Sequence, residues 1–111
     1  MKKLSFGDIV LLRFPYSSVA DSKKRPAFVI QDTDDGDVIV CRITSKIYNS
    51  KYDFYIERWA GLGLKLSSVI RLHKIATLEK SMVEKVIGSF GHTEKQAISD
   101  ILADLITKFN E

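Results

Sequence analysis

The residues best suited to chemistry lie in three short segments: Lys24-Arg25, Thr44-Ser45-Lys46 and Ser67 through His73. A guanidinium binds a phosphate with two parallel hydrogen bonds and stabilises the charge of a pentacoordinate phosphorus. Hydroxyls donate to the non-bridging oxygens. An imidazole titrates near neutrality and can move a proton. Arg25 beside Thr44 and Ser45, with Arg71 and His73 near, therefore suits phosphodiester chemistry. If the substrate is RNA, its own 2′-hydroxyl is the nucleophile, and neither an enzyme nucleophile nor a metal is needed. Metal ligation has little support: His73 and His92 are the only histidines, and no Cys, His or carboxylate cluster has ligand spacing. Gly61-Leu62-Gly63 lacks the strand-to-helix context of a phosphate loop.

For these segments to meet, strands must carry them. Asp8 to Phe14 is aliphatic and β-branched and reads as a mostly buried strand ended by Pro15. Residues 16–23 form a polar loop, long for a hairpin, and Pro26 to Gln31 is the second strand. Thr33-Asp34-Asp35-Gly36 is a turn in which Gly36 takes a positive φ, and Asp37 to Thr44 is a third strand paired as a hairpin with the second. The start of one lies beside the end of the other, so Arg25 and Thr44-Ser45 become neighbours. Asp53 to Glu57 is a short fourth strand, Trp59 to Leu66 a loop, Ser67 to Ile75 a fifth strand, Leu78 to Met82 a helical turn and Val86 to Phe90 a sixth strand. Alternation on the fifth places Ser67, Val69, Arg71 and His73 on one face. Thr93 to Phe109 is a helix: Ile98, Ile101, Leu102, Leu105, Ile106 and Phe109 recur at helical spacing, with Thr93 and Gln96 as a capping box. Short strands followed by one terminal helix predict a mainly β fold, a small bent barrel with a C-terminal α-helix.

Each residue also has a plainer reading. Arg25 before a proline fits a solvated strand end, and Thr44-Ser45 a strand terminus. Arg71 has Glu57 or Glu79 as surface partners, and His73 alone on a strand is an exposed side chain. Trp59 reads as packing or a subunit contact.

The chain of 111 residues is long enough for one core without staples, and 45% hydrophobic with 28% charged residues is ordinary for a globular domain. Its one cysteine, Cys41, lies in the apolar run Val38-Ile39-Val40-Cys41 and reads as a buried thiol. That usage predicts a reducing compartment, and the lack of a spanning apolar run or leader predicts a cytoplasmic protein with no membrane role. The net charge of +3 is uneven: residues 91–111 carry −2, leaving +5 on the β part, a pointer to a polyanion or acidic partner.

Taken in order, Gly7-Asp8-Ile9-Val10 through Phe14-Pro15, Lys24-Arg25-Pro26-Ala27-Phe28-Val29-Ile30, Ile43-Thr44-Ser45, Gly61-Leu62 with Ser68-Val69-Ile70-Arg71, and Ile87-Gly88 resemble the MazF/PemK toxins of type II toxin–antitoxin systems. The resemblance covers nearly the whole chain as a single domain, 1–111. It implies an SH3-like barrel of the MazF/PemK/CcdB kind and a homodimer. It also implies a cofactor-free, metal-independent endoribonuclease that cuts single-stranded RNA to 2′,3′-cyclic phosphate and 5′-hydroxyl ends. The implied partner is an antitoxin with an acidic tail. By the same resemblance Arg25 is the main catalytic arginine and Thr44 stabilises the transition state. Lys24, Ser45, Ser67 and Arg71 hold RNA. His73 stands where some members carry an aspartate, so the general base is either His73 or Arg25 alone. The alternative is a non-catalytic toxin of the CcdB kind, which binds DNA gyrase.

Overall fold

The structure is a computed structural model that describes residues 3–13 and 24–110. Its elements are β1 (Asp8–Arg13), β2 (Lys24–Asp32), β3 (Asp37–Thr44), β4 (Asp53–Ile56), β5 (Ser68–Glu79), β6 (Val83–Ser89) and α1 (His92–Thr107), with short 3-10 turns at Ala60–Leu62, Lys80–Met82 and Lys108–Asn110. Phe14, Pro15 and the expected loop at 16–23 lie outside the described residues.

The six strands form one antiparallel sheet in the order β4-β5-β3-β2-β1-β6. Both faces are apolar, because the central strands are buried on either side. Ile9, Phe28 and Cys41 stand opposite one another across β1, β2 and β3 and face Ile98 and Leu102 of α1, together with Ile70, Leu72 and Phe90. Val10, Leu12, Ala27, Val29, Val38 and Val40 fill a second cluster with Leu4 and Val83. The continuous aliphatic runs of β1 to β3, rather than clean alternation, follow from this double burial.

The sheet curls without closing, since β4 and β6 share no ladder. The gap is bridged by the 3-10 turn at Ala60–Leu62 lying against β6. A Cβ on Gly88 would stand 2.4 Å from the Leu62 carbonyl oxygen, and one on Gly63, at φ 83°, would stand 2.6 Å from the Ile87 carbonyl oxygen. Two glycines thus permit a backbone-to-backbone approach where hydrogen bonding stops. The stretch expected to be a plain loop is this closing turn, with Leu62 and Leu64 buried in the main core and Trp59 packed against it.

The Thr33–Gly36 turn forms as expected, with positive φ at Asp34 and Gly36. Beneath it, buried Asp32 accepts hydrogen bonds from Lys80 Nζ (2.5 Å), Leu4 N–H (2.9 Å) and Asp34 N–H (3.1 Å), tying the N-terminal segment and the β5–β6 connection to one carboxylate. The Lys80 hydrogen bond above all holds that carboxyl well below the usual range. Three expectations need correction. The helix starts at His92 with Gly91 as cap, because Glu94 accepts the Gly91 N–H and also pairs with Arg58, a double role that Gln96 cannot fill. Its stripe ends early: Ile106 is exposed and Phe109 is 77% exposed beyond the helix. The helical turn expected from Leu78 begins at Lys80, because β5 runs on beside β3 to Glu79.

Candidate functional site

The β2–β3 register pairs Ala27 with Arg42, which brings Arg25 at the mouth of β2 to the level of Thr44 at the end of β3. Pro26 sits just before that ladder begins, where its missing N–H breaks no β2–β3 bond. The hairpin therefore delivers Lys24, Arg25, Thr44 and Ser45 to one place. They line a groove of about 880 Å³ along the open end of the barrel.

The groove is one-signed. Lys24, Arg25, Arg42, Lys65, Lys74 and Lys85 line it, and no carboxylate of the described residues does. Lys24 is drawn towards Glu84 (3.0 Å), which also holds Arg13 (2.8 Å). These cations, Lys24 foremost, keep the Glu84 carboxyl below its ordinary range against partial burial. Arg25 and Arg42 are exposed, and no acidic side chain among the described residues pairs with either. Thr44 Oγ1 accepts the Lys46 N–H at 3.2 Å, which leaves its own hydroxyl hydrogen to donate outward. The site thus offers to an anion two guanidiniums that no described carboxylate pairs with, an oriented hydroxyl and the Ser45 hydroxyl.

Ser67 does not line the groove. Ser68 does, but it is buried and its hydroxyl donates to the Leu66 carbonyl at 2.8 Å. Arg71 and His73 are also absent from the lining. The β3–β5 register jumps from Arg42 opposite Arg71 to Cys41 opposite Ile75, so residues 72–74 of β5 bulge across one step of β3. Arg71 Nε donates to Asp53 Oδ1 at 3.0 Å, with the Arg71 side chain 13% and the Asp53 side chain 2% exposed. Its guanidinium carbon lies 3.6 Å from the centroid of the Tyr48 ring. The expected surface partners Glu57 and Glu79 are replaced by Asp53, which the β4–β5 register sets directly across from Arg71. Burial works to raise the Asp53 carboxyl; hydrogen bonds from Ser50 and the Arg71 charge outweigh it and hold it below its usual value.

His73 is half-buried, with its ring 5.8 Å from that of Tyr52 and its Nδ1 buried without a hydrogen-bond partner among the described residues. Burial first, then the Arg71 and Lys74 charges, pull its pKa below the ordinary imidazole value, with Asp53 opposing. His73 and Arg71 do lie together, as alternation predicts, but in a patch with Tyr48, Tyr52 and Asp53. His92 is exposed at the helix start. Cys41 is buried, and burial pushes its thiol up to about 12, which makes it inert. Among the described residues no group of three His, Cys, Asp or Glu side chains is placed to hold a metal ion. None of their helices is long and apolar enough to cross a membrane.

Sequence reasoning missed Arg42, Lys65, Lys74 and Lys85. Arg42 was within reach, because it stands two residues before Thr44 on the same strand and so shares its face. The three lysines enter through the closing turn, the β5 bulge and β6, whose positions depend on tertiary packing.

The fold is similar to solved toxins. The Mycobacterium tuberculosis toxin MazF-mt6 aligns with a TM-score of 0.74 at 16% identity, over 90% of this chain and 96% of that one. MazF in a MazE–MazF structure from Deinococcus radiodurans aligns at 0.75 and 18%, over 96% and 97%. A mycobacterial endoribonuclease in complex with its cognate antitoxin aligns at 0.68 and 16%, over 91% and 92%. No curated protein matches the sequence. The sequence model of the PemK-like, MazF-like toxins matches residues 5–106, nearly the whole chain. This chain, with its open six-stranded barrel and C-terminal helix, therefore belongs to the PemK-like, MazF-like toxins of type II toxin–antitoxin systems.

Proposed function

We propose that this toxin is an endoribonuclease that cleaves single-stranded RNA in the groove between Arg25 and Thr44. The carrying observation is the lining itself: among the described residues, six cations, two of them arginines with no acidic partner, with hydroxyls and no carboxylate. Such a surface attracts a phosphodiester backbone.

In this reading the substrate's 2′-oxygen attacks the adjacent phosphorus while its proton passes to water in the open groove. The bond from phosphorus to the 5′-oxygen breaks, and that oxygen takes up a proton, leaving a 2′,3′-cyclic phosphate and a 5′-hydroxyl. Arg25 binds the non-bridging oxygens more strongly as their charge grows, which is where the rate is gained. Its N–H groups also lie on hand for the leaving oxygen. Thr44 donates its free hydroxyl hydrogen to the same phosphoryl group, and Ser45, Lys24 and Arg42 hold the flanking backbone. No step calls on a metal.

A cytoplasmic homodimer and an acidic antitoxin that competes for the groove complete the proposal, with antitoxin complexes of similar proteins in support. The dimer does not rest on Leu62 or Leu64, which are buried within this chain; among the described residues Ile47, Tyr55, Leu66, Ile75 and Val86 are the exposed large hydrophobic side chains of the barrel. A monomeric mass by light scattering at micromolar concentration would count against it.

Purified protein incubated with a long RNA in excess EDTA tests the activity. Cleavage at discrete sites is the expected result. Intact RNA together with inhibited DNA gyrase would replace this reading with that of a protein-binding toxin.

A further inference from the structure

Ser45 is the last residue of this stretch to line the groove. Beyond it the chain passes over Lys46, Ile47 and Tyr48 before bending at Ser50–Asp53, where Ser50 N–H donates to Asp53 Oδ2 (2.8 Å) and Asp53 N–H donates to the Ser50 carbonyl (3.1 Å). Arg71 lies directly across the ladder from groove-lining Arg42. Asp53 already neutralises its charge, so Arg71 is poorly suited to gripping a phosphate. What it presents is a flat guanidinium backing the Tyr48 ring at stacking distance, 3.6 Å from the centroid. Lys46 Nζ stands 5.2 Å from the Tyr48 ring centroid, and Lys51 Nζ 5.1 Å from that of Tyr52. Lys46, Ile47 and Lys51 are exposed.

An aromatic ring braced by a guanidinium, with an exposed ammonium over it, has the composition of a single-stranded nucleic-acid subsite: a base takes the ammonium's place on the ring, and the displaced ammonium takes the phosphate. Tyr48 lies four positions after Thr44, a reach of at most ~14 Å. We infer that Tyr48, braced by the Arg71–Asp53 pair and flanked by Lys46, is a base-stacking subsite for a nucleotide beside the scissile phosphate. The inference rests on the RNA-cleaving reading of the groove and adds to it a place where one unpaired base is held by its face. Such a subsite favours unpaired RNA over duplex, because a stacked-out base must leave its helix.

The test uses the full-length protein and a fluorescent RNA oligonucleotide containing one cut site, plus the same oligonucleotide with an abasic residue at each flanking position in turn. Binding is read by anisotropy on versions blocked by a 2′-O-methyl at the cut site, and cleavage is read separately on unblocked RNA. Tyr48→Ala is expected to weaken binding about tenfold, while Tyr48→Phe, which keeps the ring, stays within about twofold of wild type. One abasic position should weaken wild-type binding by the same factor and have no further effect on Tyr48→Ala. If Tyr48→Ala, folded by circular dichroism, binds every oligonucleotide as wild type does, the subsite is refuted while the groove reading stands. An equal loss on intact and abasic RNA, with the two effects multiplying, refutes it in favour of a structural role. If wild type neither binds nor cleaves RNA, both readings fall.

Discussion

Arg42 and Arg71 stand side by side on neighbouring strands, yet the protein treats them oppositely. Arg42, like Arg25, is exposed in a groove that no carboxylate of the described residues lines, whereas Arg71 is sunk against buried Asp53 and covered by Tyr48. A cation left without a counter-ion costs little while solvated and is available to an anionic ligand. One paired in a half-dry site has its charge answered, and its energy goes into holding two strands and a loop. A graded form of it separates Lys24, exposed and sharing Glu84 with Arg13, from Lys80, locked on buried Asp32. Partner state, more than residue type, divides the basic side chains into those placed for chemistry and those that hold the fold.

Mutations on the two sides should then fail differently. Arg25→Ala is expected to lower the cleavage rate by about 10²–10³ through loss of a transition-state donor. Its cost in stability should be below ~1 kcal/mol, since the side chain is exposed. Single-turnover kinetics and urea unfolding on the same preparation check both. Asp53→Ala should do the reverse, removing about 3 kcal/mol of stability by stranding the Arg71 guanidinium. At temperatures where the variant stays folded, its chemical step should be retained far better than that of Arg25→Ala. If Asp53→Ala were as stable as wild type and catalytically dead, the division would be wrong.

Thr44→Ala is expected to cost about tenfold in rate, a neutral hydroxyl being a weaker donor than a guanidinium. The binding affinity for a blocked RNA should move little. A loss in affinity with no loss in rate would reassign Thr44 to substrate binding.

The smallest effects concern pH. Asp32 and Asp53 are held below the unfolded value near 3.8, so their contribution to stability is full above pH ~4 and is lost as pH falls through the folded values. Acid unfolding curves should flatten in Asp32→Asn. His73 is likewise lowered from 6.5, so the wild type should lose a little stability as pH drops below that value, and His73→Ala should lack this component. Because His73 lies outside the groove lining, its removal should leave the shape of the pH–rate profile unchanged. Loss of a limb near neutral pH in His73→Ala would instead make it the general base.

Much of the site was legible in the sequence, and the reason is local. A hairpin fixes which ends meet, so Arg25 and Thr44-Ser45 could be brought together from the Thr33–Gly36 turn and the proline-marked start of the second strand. The Arg71–Asp53 pair needs the β4–β5 register across a connection containing a 3-10 turn, which no local pattern encodes. The β5 bulge at 72–74, which shifts the β3–β5 register, is likewise invisible to a simple alternation pattern. Gly88 carried the family resemblance in part, but its physical purpose together with Gly63, a close backbone approach closing the barrel, appears only once the turn and β6 are in place.

The central claim, that the unpaired groove cations perform metal-free RNA cleavage, is tested most directly by end-group analysis of products formed in excess chelator by wild type and Arg25→Ala. Wild type should yield 2′,3′-cyclic phosphate and 5′-hydroxyl ends at an undiminished rate in chelator, and a folded Arg25→Ala virtually none. Products bearing 5′-phosphates, a strict requirement for added divalent ion, or an Arg25→Ala protein that cuts at the wild-type rate would contradict it.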